Sequence, residues 1–185
     1  MKPPRCCKQP EAWPTPYGGA SVPTITLSLT QGQQTVIDAE DWPRVSAHSW
    51  YACRYQNGFY ACTKGTYPDG RRQTLGLHRF IMEAGRGDVV DHIDGDPLNN
   101  TRANLRFATP GQNRANSRVA YSTRSGYKGA YWKSGNRRNH WEAQIRHAGK
   151  CHFLGCFFTA EEAARAYDIA ARELFGQFAH LNFPE

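Results

Sequence analysis

The sequence predicts an α+β protein: a β-rich N-terminal region, a strand–loop–strand–helix unit, and a small three-stranded antiparallel sheet packed on one helix. Three observations predict it. Ile25, Leu27 and Leu29 alternate with Thr26, Ser28 and Thr30, the two-residue period of a half-buried strand. Leu77, Phe80, Ile81 and Ala84 recur at i, i+3, i+4 and i+7, which reads as a short helix over 77–84 with one buried face. Finally, strand-like stretches at 127–133, 140–147 and 151–156 precede a helix over 160–175, which Thr159-x-x-Glu162 opens as a capping box and Gly176 closes.

Residues 1–23 hold six of the eleven prolines and no apolar period, so they read as a flexible tail. The strand that follows ends at Gln31-Gly32-Gln33, with Thr35-Val36-Ile37 as its partner. Trp50-Tyr51-Ala52 and Phe59-Tyr60-Ala61 flank Asn57-Gly58, a pair suited to the tip of a hairpin. A further strand, Gln73–Leu77, follows the turn Pro68-Asp69-Gly70. After the 77–84 helix come the extended Val89–His92, a polar loop and Leu105–Ala108. A helix then starts with Thr109 as N-cap and Pro110 at its first position. Residues 119–124 read as a linker between a unit over 24–118 and another over 125–185. The last helix carries Ala163, Ala164, Tyr167, Ala170, Ala171 and Leu174 on one stripe, small enough to lie close on a sheet.

The net charge of +7 and pI near 9.2 favour a polyanionic partner. No apolar run is long enough to span a bilayer, and the N-terminus lacks the apolar core of a secretory signal, so an intracellular, cytoplasmic location is expected. Six cysteines offer no paired zinc knuckles. Cys53 and Cys62 lie too far apart for one, and Cys151/Cys156 have no matching second pair, so reduced thiols are expected.

The chemistry concentrates in Val90–Arg118. Hydrolysis of a phosphodiester needs a divalent cation, a base for water and a group that holds the base. A hard ion such as Mg²⁺ (or Mn²⁺) takes oxygen ligands, which Asp91 and Asn113 can supply. His92 is the candidate base and Asn104 the candidate acceptor for its other ring N–H. Neighbours on an extended strand point opposite ways, so sharing one site requires a twist or bulge at Asp91-His92. Asp91-His92, Asn99-Asn100-x-x-x-Asn104-Leu105-Arg106 and Ala108-Thr109-Pro110-x-x-Asn113 stand with twelve residues from His92 to Asn104 and nine to Asn113.

In these motifs and spacings the segment 77–118 resembles the homing branch of the HNH (ββα-metal) endonucleases. The resemblance implies Asp91 and Asn113 as metal ligands, His92 as general base and Asn104 as its orienting residue. Arg79, which follows His78 in a Leu-His-Arg run, joins Arg106 and Arg114 as candidate phosphate contacts; Arg102 and Arg118 are two more arginines that could touch the DNA backbone. His78 itself reads equally well as a packed framework residue.

Between Arg124 and His152 seven Lys/Arg face one acid, Glu142, and Tyr127, Tyr131, Trp132 and Trp141 interleave with them, a pattern suited to DNA contact. Ser125–Gly129, Trp141-x-Ala143-x-Ile145-Arg146, Phe153-Leu154-Gly155-x-Phe157, Thr159–Asp168 and Leu181-Asn182-Phe183 resemble the plant ethylene-response-factor (Apetala-type) DNA-binding domain. The resemblance implies a sheet that enters the major groove, with Lys128, Tyr131, Lys133, Arg137, Arg138, Gln144 and Arg146 as candidate contacts. Tyr131 and Phe153 depart from the arginine and tryptophan usual there, so no base preference carries over. The expectation is a metal-dependent nuclease or nickase acting on double-stranded DNA, as monomer or homodimer with no obligate protein partner, of mobile-element or phage type. A DNA-binding regulator with an inactive core is the alternative, and an RNA-binding protein is a third.

Overall fold

The computed structural model describes residues 22–56, 58–66, 72–118, 124–135 and 140–184. The tail, Asn57, the turn Pro68-Asp69-Gly70, most of the 119–124 segment, Cys6, Cys7, Arg137 and Arg138 lie outside them.

Strand β1 (Thr24–Ser28) and β2 (Gln34–Asp38) form an antiparallel hairpin with Ile25 opposite Ile37 and Leu27 opposite Thr35. A single-turn helix, α1 (Trp42–Val45), seals its end by burying Val45. Strands β3 (Tyr51–Tyr55), β4 (Gly58–Thr66) and β5 (Arg72–Gly76) build an antiparallel sheet in sequence order. Helix α2 covers Leu77–Ile81 and is shorter than the apolar period implies. Glu83 takes a left-handed conformation (φ 52°) and bridges to Arg44 at 2.8 Å, so the chain leaves the helix before Gly85. The apolar face is nevertheless used: Leu77 and Ile81 are buried, and Phe80 and Ala84 pack on the same core as Ile37, Val45, Val90 and Leu105.

Strands β6 (Val89–His92) and β7 (Leu105–Ala108) pair antiparallel, with Asp91 opposite Arg106 and His92 opposite Leu105. Helix α3 (Pro110–Asn116) follows under a full capping box. Thr109 Oγ1 accepts from the Gln112 N–H at 3.2 Å, and Gln112 Oε1 accepts from the Thr109 N–H at 2.7 Å. The 93–104 loop is sewn to the N-terminal hairpin: the Val36 N–H donates to the Leu98 carbonyl and the Asn100 N–H to the Val36 carbonyl.

Strands β8 (Ala130–Lys133), β9 (His140–His147) and β10 (Lys150–Phe157) make the second sheet, with β9 central, and α4 (Ala160–Phe175) crosses it. β8 starts three residues later than the sequence pattern implies. Gly129 sits at φ 79°, and the Ser125 hydroxyl, accepting from the Tyr127 N–H and donating to the Ala130 carbonyl, ties 125–129 into a turn. Ala163, Ala164, Tyr167 and Ala171 bury against the sheet as expected, but Leu174 is exposed, and Phe175 closes the stripe with Ala179 and Leu181. Asp168, also on the buried face, accepts from the backbone N–H groups of Asn182 and Phe183 and from the Asn182 amide, all at 2.9 Å. That carboxylate fastens the Leu181-Asn182-Phe183 segment. No helix among the described residues is long and apolar enough to cross a membrane.

A Cβ on Gly129 would lie 2.0 Å from the Tyr167 ring, whereas one on Gly149, at nearly the same φ, meets nothing within 4 Å. Gly149→Ala is expected to cost only the backbone strain, about 1–2 kcal/mol. Gly129→Ala adds overpacking of about 1–3 kcal/mol. Urea unfolding of the two variants reads the difference, and equal midpoints would refute this packing of α4 on the turn.

Candidate active site

Asp91 and His92 are adjacent on β6, and both are buried, at 5% and 7% exposure. The β6–β7 register runs without a bulge, so the two side chains leave opposite faces of the strand. They have separate partners, yet the Asp91 charge still reaches both His92 and Tyr60, whose ring packs on His92.

On one face, Asp91 Oδ2 accepts from Arg106 Nε at 2.9 Å, with Arg106 Nη2 at 2.8 Å. Asn116, on the last turn of α3, donates its Nδ2 to both Asp91 oxygens at 3.1 Å and to the His92 carbonyl at 2.7 Å. Asn113 lies one turn earlier on α3 and is exposed; the helix amide that touches Asp91 is Asn116. Asn116 is not among the residues that the sequence singles out; its i+3 spacing from Asn113 is the signal that could have found it.

On the other face, His92 Nε2 lies 3.2 Å from Asn100 Oδ1. The Asn100 amide is oriented by its own donor end, which gives Nδ2–H to Thr35 Oγ1 at 2.8 Å and to the Pro97 carbonyl at 3.2 Å. The Thr35 hydroxyl in turn donates to the Leu98 carbonyl at 2.7 Å, so it accepts from Asn100. Asn100 Oδ1 therefore faces His92, Nε2 must carry the proton, and Nδ1 keeps its lone pair. Burial lowers the His92 pKa, while the Asn100 hydrogen bond and the charges of Asp94, Asp91 and Asp96 oppose it. His78 lies with its ring centroid 5.2 Å from that of His92 and Tyr60 at 6.2 Å. Burial pushes His78 down to about 3, with His92 and Arg79 adding to the effect, so it is a neutral wall to the His92 ring. Gly76 makes room for it, since a Cβ there would lie 2.6 Å from the His78 ring.

Asn104 does not reach His92. Its Oδ1 accepts from the Asp94 N–H at 3.0 Å, and its Nδ2 donates to Asp94 Oδ1 at 2.9 Å and the Asn99 carbonyl at 2.8 Å. It holds the loop shape while Asn100 holds the imidazole. Burial works to raise the Asp94 pKa, but hydrogen bonds from the Asp96 N–H, Asn99 and Asn104 bring it below the usual carboxylate value. Spacing alone favoured Asn104; Asn100 becomes the partner only because the loop folds back onto β2.

The arginines are mostly committed inside the protein. Arg79 donates to the Asp88 carbonyl at 2.5 Å and the Gly85 carbonyl at 2.7 Å. Arg102 pairs with Asp41 and Glu40, which accounts for the acidic group Asp38, Glu40 and Asp41. Arg118 donates to the Asp94 carbonyl at 2.9 Å. Arg106 binds Asp91, and Arg114 is exposed at the end of α3.

Toward a divalent cation, Asp91 offers a buried carboxylate with Oδ1 less engaged than Oδ2, and Asn113 offers an exposed amide one turn before the helix amide that touches Asp91. This all-oxygen donor set fits a hard ion that keeps most of its waters.

On the second sheet, Tyr131, Lys133, Gln144 and Arg146 share the face away from α4, since Ala143 and Ile145 point inward. Tyr131 and Phe153 stand out from it at 49% and 61% exposure. Glu142 on this face lies 4.0 Å from the Lys133 ammonium and accepts from Gln144 at 2.9 Å; His140 lies 3.2 Å away. With Cys156 and His140 it forms a close His/Glu/Cys group. Lys128 is not on this face. Its ammonium is turned into the C-terminal end of α3, donating to the carbonyls of Ala115 and Ser117, and burial pushes it down to about 8 against the pull of Asp168. Among the described residues Cys53, Cys62, Cys151 and Cys156 are free thiols; Cys62 is buried, and burial followed by its contact with Cys53 pushes it up to about 12.

A family model described as HNH endonuclease matches residues 76–115, the span from the end of β5 into α3. The chain is 37% identical over 162 residues to an uncharacterized HNH endonuclease, L560, of Acanthamoeba polyphaga mimivirus, covering 84% of this chain and 78% of that protein. It is 37% identical over 109 residues to Protein 3.8 of Escherichia phage T7, covering 56% of this chain and 88% of that protein. A C-terminal portion is 62% identical over 45 residues to the ethylene-responsive transcription factor ERF084 of Arabidopsis thaliana, covering 23% of this chain and 18% of that protein. No solved structure matches the chain. The family match falls on the strand–loop–strand–helix unit that carries Asp91 and His92, and the mimiviral relative is matched over most of its length: the chain belongs to the HNH endonuclease family.

Proposed function

We propose that this HNH endonuclease cuts or nicks double-stranded DNA in a reaction that depends on Mg²⁺ or Mn²⁺, and that its C-terminal sheet holds the DNA. The observation that carries the reading is the hydrogen-bonded chain Thr35–Asn100–His92, which leaves Nδ1 of a buried imidazole as the acceptor. His92 takes the proton of the attacking water through Nδ1, and Asn100 holds the ring and accepts from Nε2–H as positive charge grows on it. Asp91 and Asn113 are the residues that would hold the ion, which when bound neutralises the scissile phosphate and the leaving oxygen. Asn104 keeps the loop in shape, and Asn116 keeps Asp91 in place.

The two sequence units, 24–118 and 125–185, divide the labour in this reading. The first cuts, and the second supplies affinity through Lys133, Arg146 and the projecting rings of Tyr131 and Phe153, with Gln144 beside them. Arg137 and Arg138 belong to the same basic sheet by sequence. Two relatives encoded by a virus and a phage support the homing or mobile-element type.

Supercoiled plasmid treated with the protein and Mg²⁺ is expected to go to nicked or linear product, and EDTA to stop the reaction. His92→Ala should abolish cleavage while leaving gel-shift affinity intact; undiminished cleavage by that variant would remove His92 from the mechanism. Asn100→Ala, which frees the ring, should lower the cleavage rate about 10²-fold, the scale of losing general-base catalysis.

For the sheet, Arg146→Ala should weaken binding to all DNA sequences and reduce the slope of log affinity against log salt by about 1. Lys128→Ala should leave that slope unchanged and lower thermal stability instead. A salt slope that falls with Lys128 and not with Arg146 would move the DNA to a different surface.

A further inference from the structure

We infer that the segment Gly176–His180, which follows the helix of the C-terminal unit, is part of the nuclease site, with Phe178 and Arg106 as positioning residues for the Asp91 carboxylate. The inference rests on the nuclease reading above. Arg106 stands opposite Asp91 on β7 and directs Nε and Nη2 at Oδ2, leaving Nη1 and the flat face of the guanidinium to be satisfied elsewhere. Both are satisfied by the C-terminal segment. Nη1 donates to the Gln177 carbonyl at 2.8 Å, and the Phe178 ring covers the guanidinium with its centroid 4.0 Å from Cζ. This stack keeps the Arg106 side chain at 12% exposure beside an Asp91 side chain at 5%, which strengthens their ion pair.

The segment is anchored on both sides. The His180 N–H donates to the Ala115 carbonyl at 3.2 Å, and Lys128, from the turn before β8, caps the same end of α3. Asn182 then binds the backbone N–H of Lys128 at 2.7 Å and Asp168 of α4. An unbroken chain of contacts thus runs from the second sheet through the C-terminal segment to the carboxylate of the cutting site. With Arg106 and Asn116 both on Oδ2, and Asn116 alone on Oδ1, the carboxylate is held in one rotamer with Oδ1 the more available oxygen. Loss of partners that orient a metal ligand typically costs 10–100-fold in metal affinity or activity.

The test uses the full chain and Mn²⁺ alone, its binding followed by the paramagnetic resonance signal of the free ion, and assigns the site by its loss in Asp91→Asn. Phe178→Ala should weaken Mn²⁺ binding about tenfold and raise the half-saturating Mn²⁺ for plasmid cleavage to match, with gel-shift affinity unchanged. Phe178→Tyr keeps the ring and should restore both. Mn²⁺ binding in Phe178→Ala equal to wild type overturns the inference, and so does a Tyr variant as defective as the Ala variant. If the wild-type chain binds Mn²⁺ but cuts no DNA, the nuclease reading fails, while the Mn²⁺ comparison still decides the role of Phe178.

Discussion

The side chain of Asn100 is the contact on which most of the candidate site depends. It is a buried amide at 1% exposure, and a buried amide without partners costs several kcal/mol. Its donor end is satisfied by Thr35 and Pro97, and its acceptor end by His92. Each bond needs a different part of the chain: β2, the loop after β6, and β6 itself. The amide is fully paired only when the N-terminal hairpin, the loop and β6 are assembled together. This explains why an HNH match confined to 76–115 sits in a core that also requires Ile37, Val45 and Ala52. The early strands are the wall against which the imidazole is set.

A second constraint is the buried Asp91. A carboxylate out of water is penalised by several kcal/mol unless paired, and breaking such a pair typically costs about 3–5 kcal/mol. The cation that pairs with it is the residue directly opposite on β7, the closest position a two-stranded ladder offers. One arginine on a two-stranded edge would remain wet on its far face. Phe178 and the Gln177 carbonyl remove that exposure. The C-terminal segment and β6 are therefore joined where the buried Asp91 carboxylate most needs a dry environment.

Much of this was legible in the sequence, because local rules and tertiary demands agree there. The β1 alternation, the capping boxes at Thr109 and Thr159, and the α4 stripe each follow from a period or a cap that tertiary packing does not override. The order of Asp91, His92, Asn104 and Asn113 marked the strand–loop–strand–helix unit on which the family match falls. Spacing did not reveal which amide does what. Asn99 and Asn100 are chemically identical neighbours, and only the fold-back onto Val36 sends one to the imidazole. Asn113 and Asn116 likewise differ only by where α3 lies on β6. Lys128, Arg79 and Arg106 looked like DNA-facing cations because a count of charges is blind to buried carbonyls and carboxylates. Helix α2 ends early where Glu83 turns left-handed (φ 52°), which the apolar period does not reveal.

The opposed orientation of Asp91 and His92 also bears on how such a site functions. Were both side chains on one face, the imidazole would lie against the carboxylate and compete with any cation for it. With the strand backbone between them, Asp91 is served by Arg106 and Asn116 while His92 is served by Asn100, and neither set of partners contacts the other ring or carboxylate. Imidazole and carboxylate can then be held independently, and only the backbone of two consecutive residues fixes their separation. Asn116 pins that backbone as well, through the His92 carbonyl at 2.7 Å. A single amide on α3 thus holds the Asp91 carboxylate and the His92 main chain together, which is why the helix must follow β7 closely enough for its last turn to reach β6.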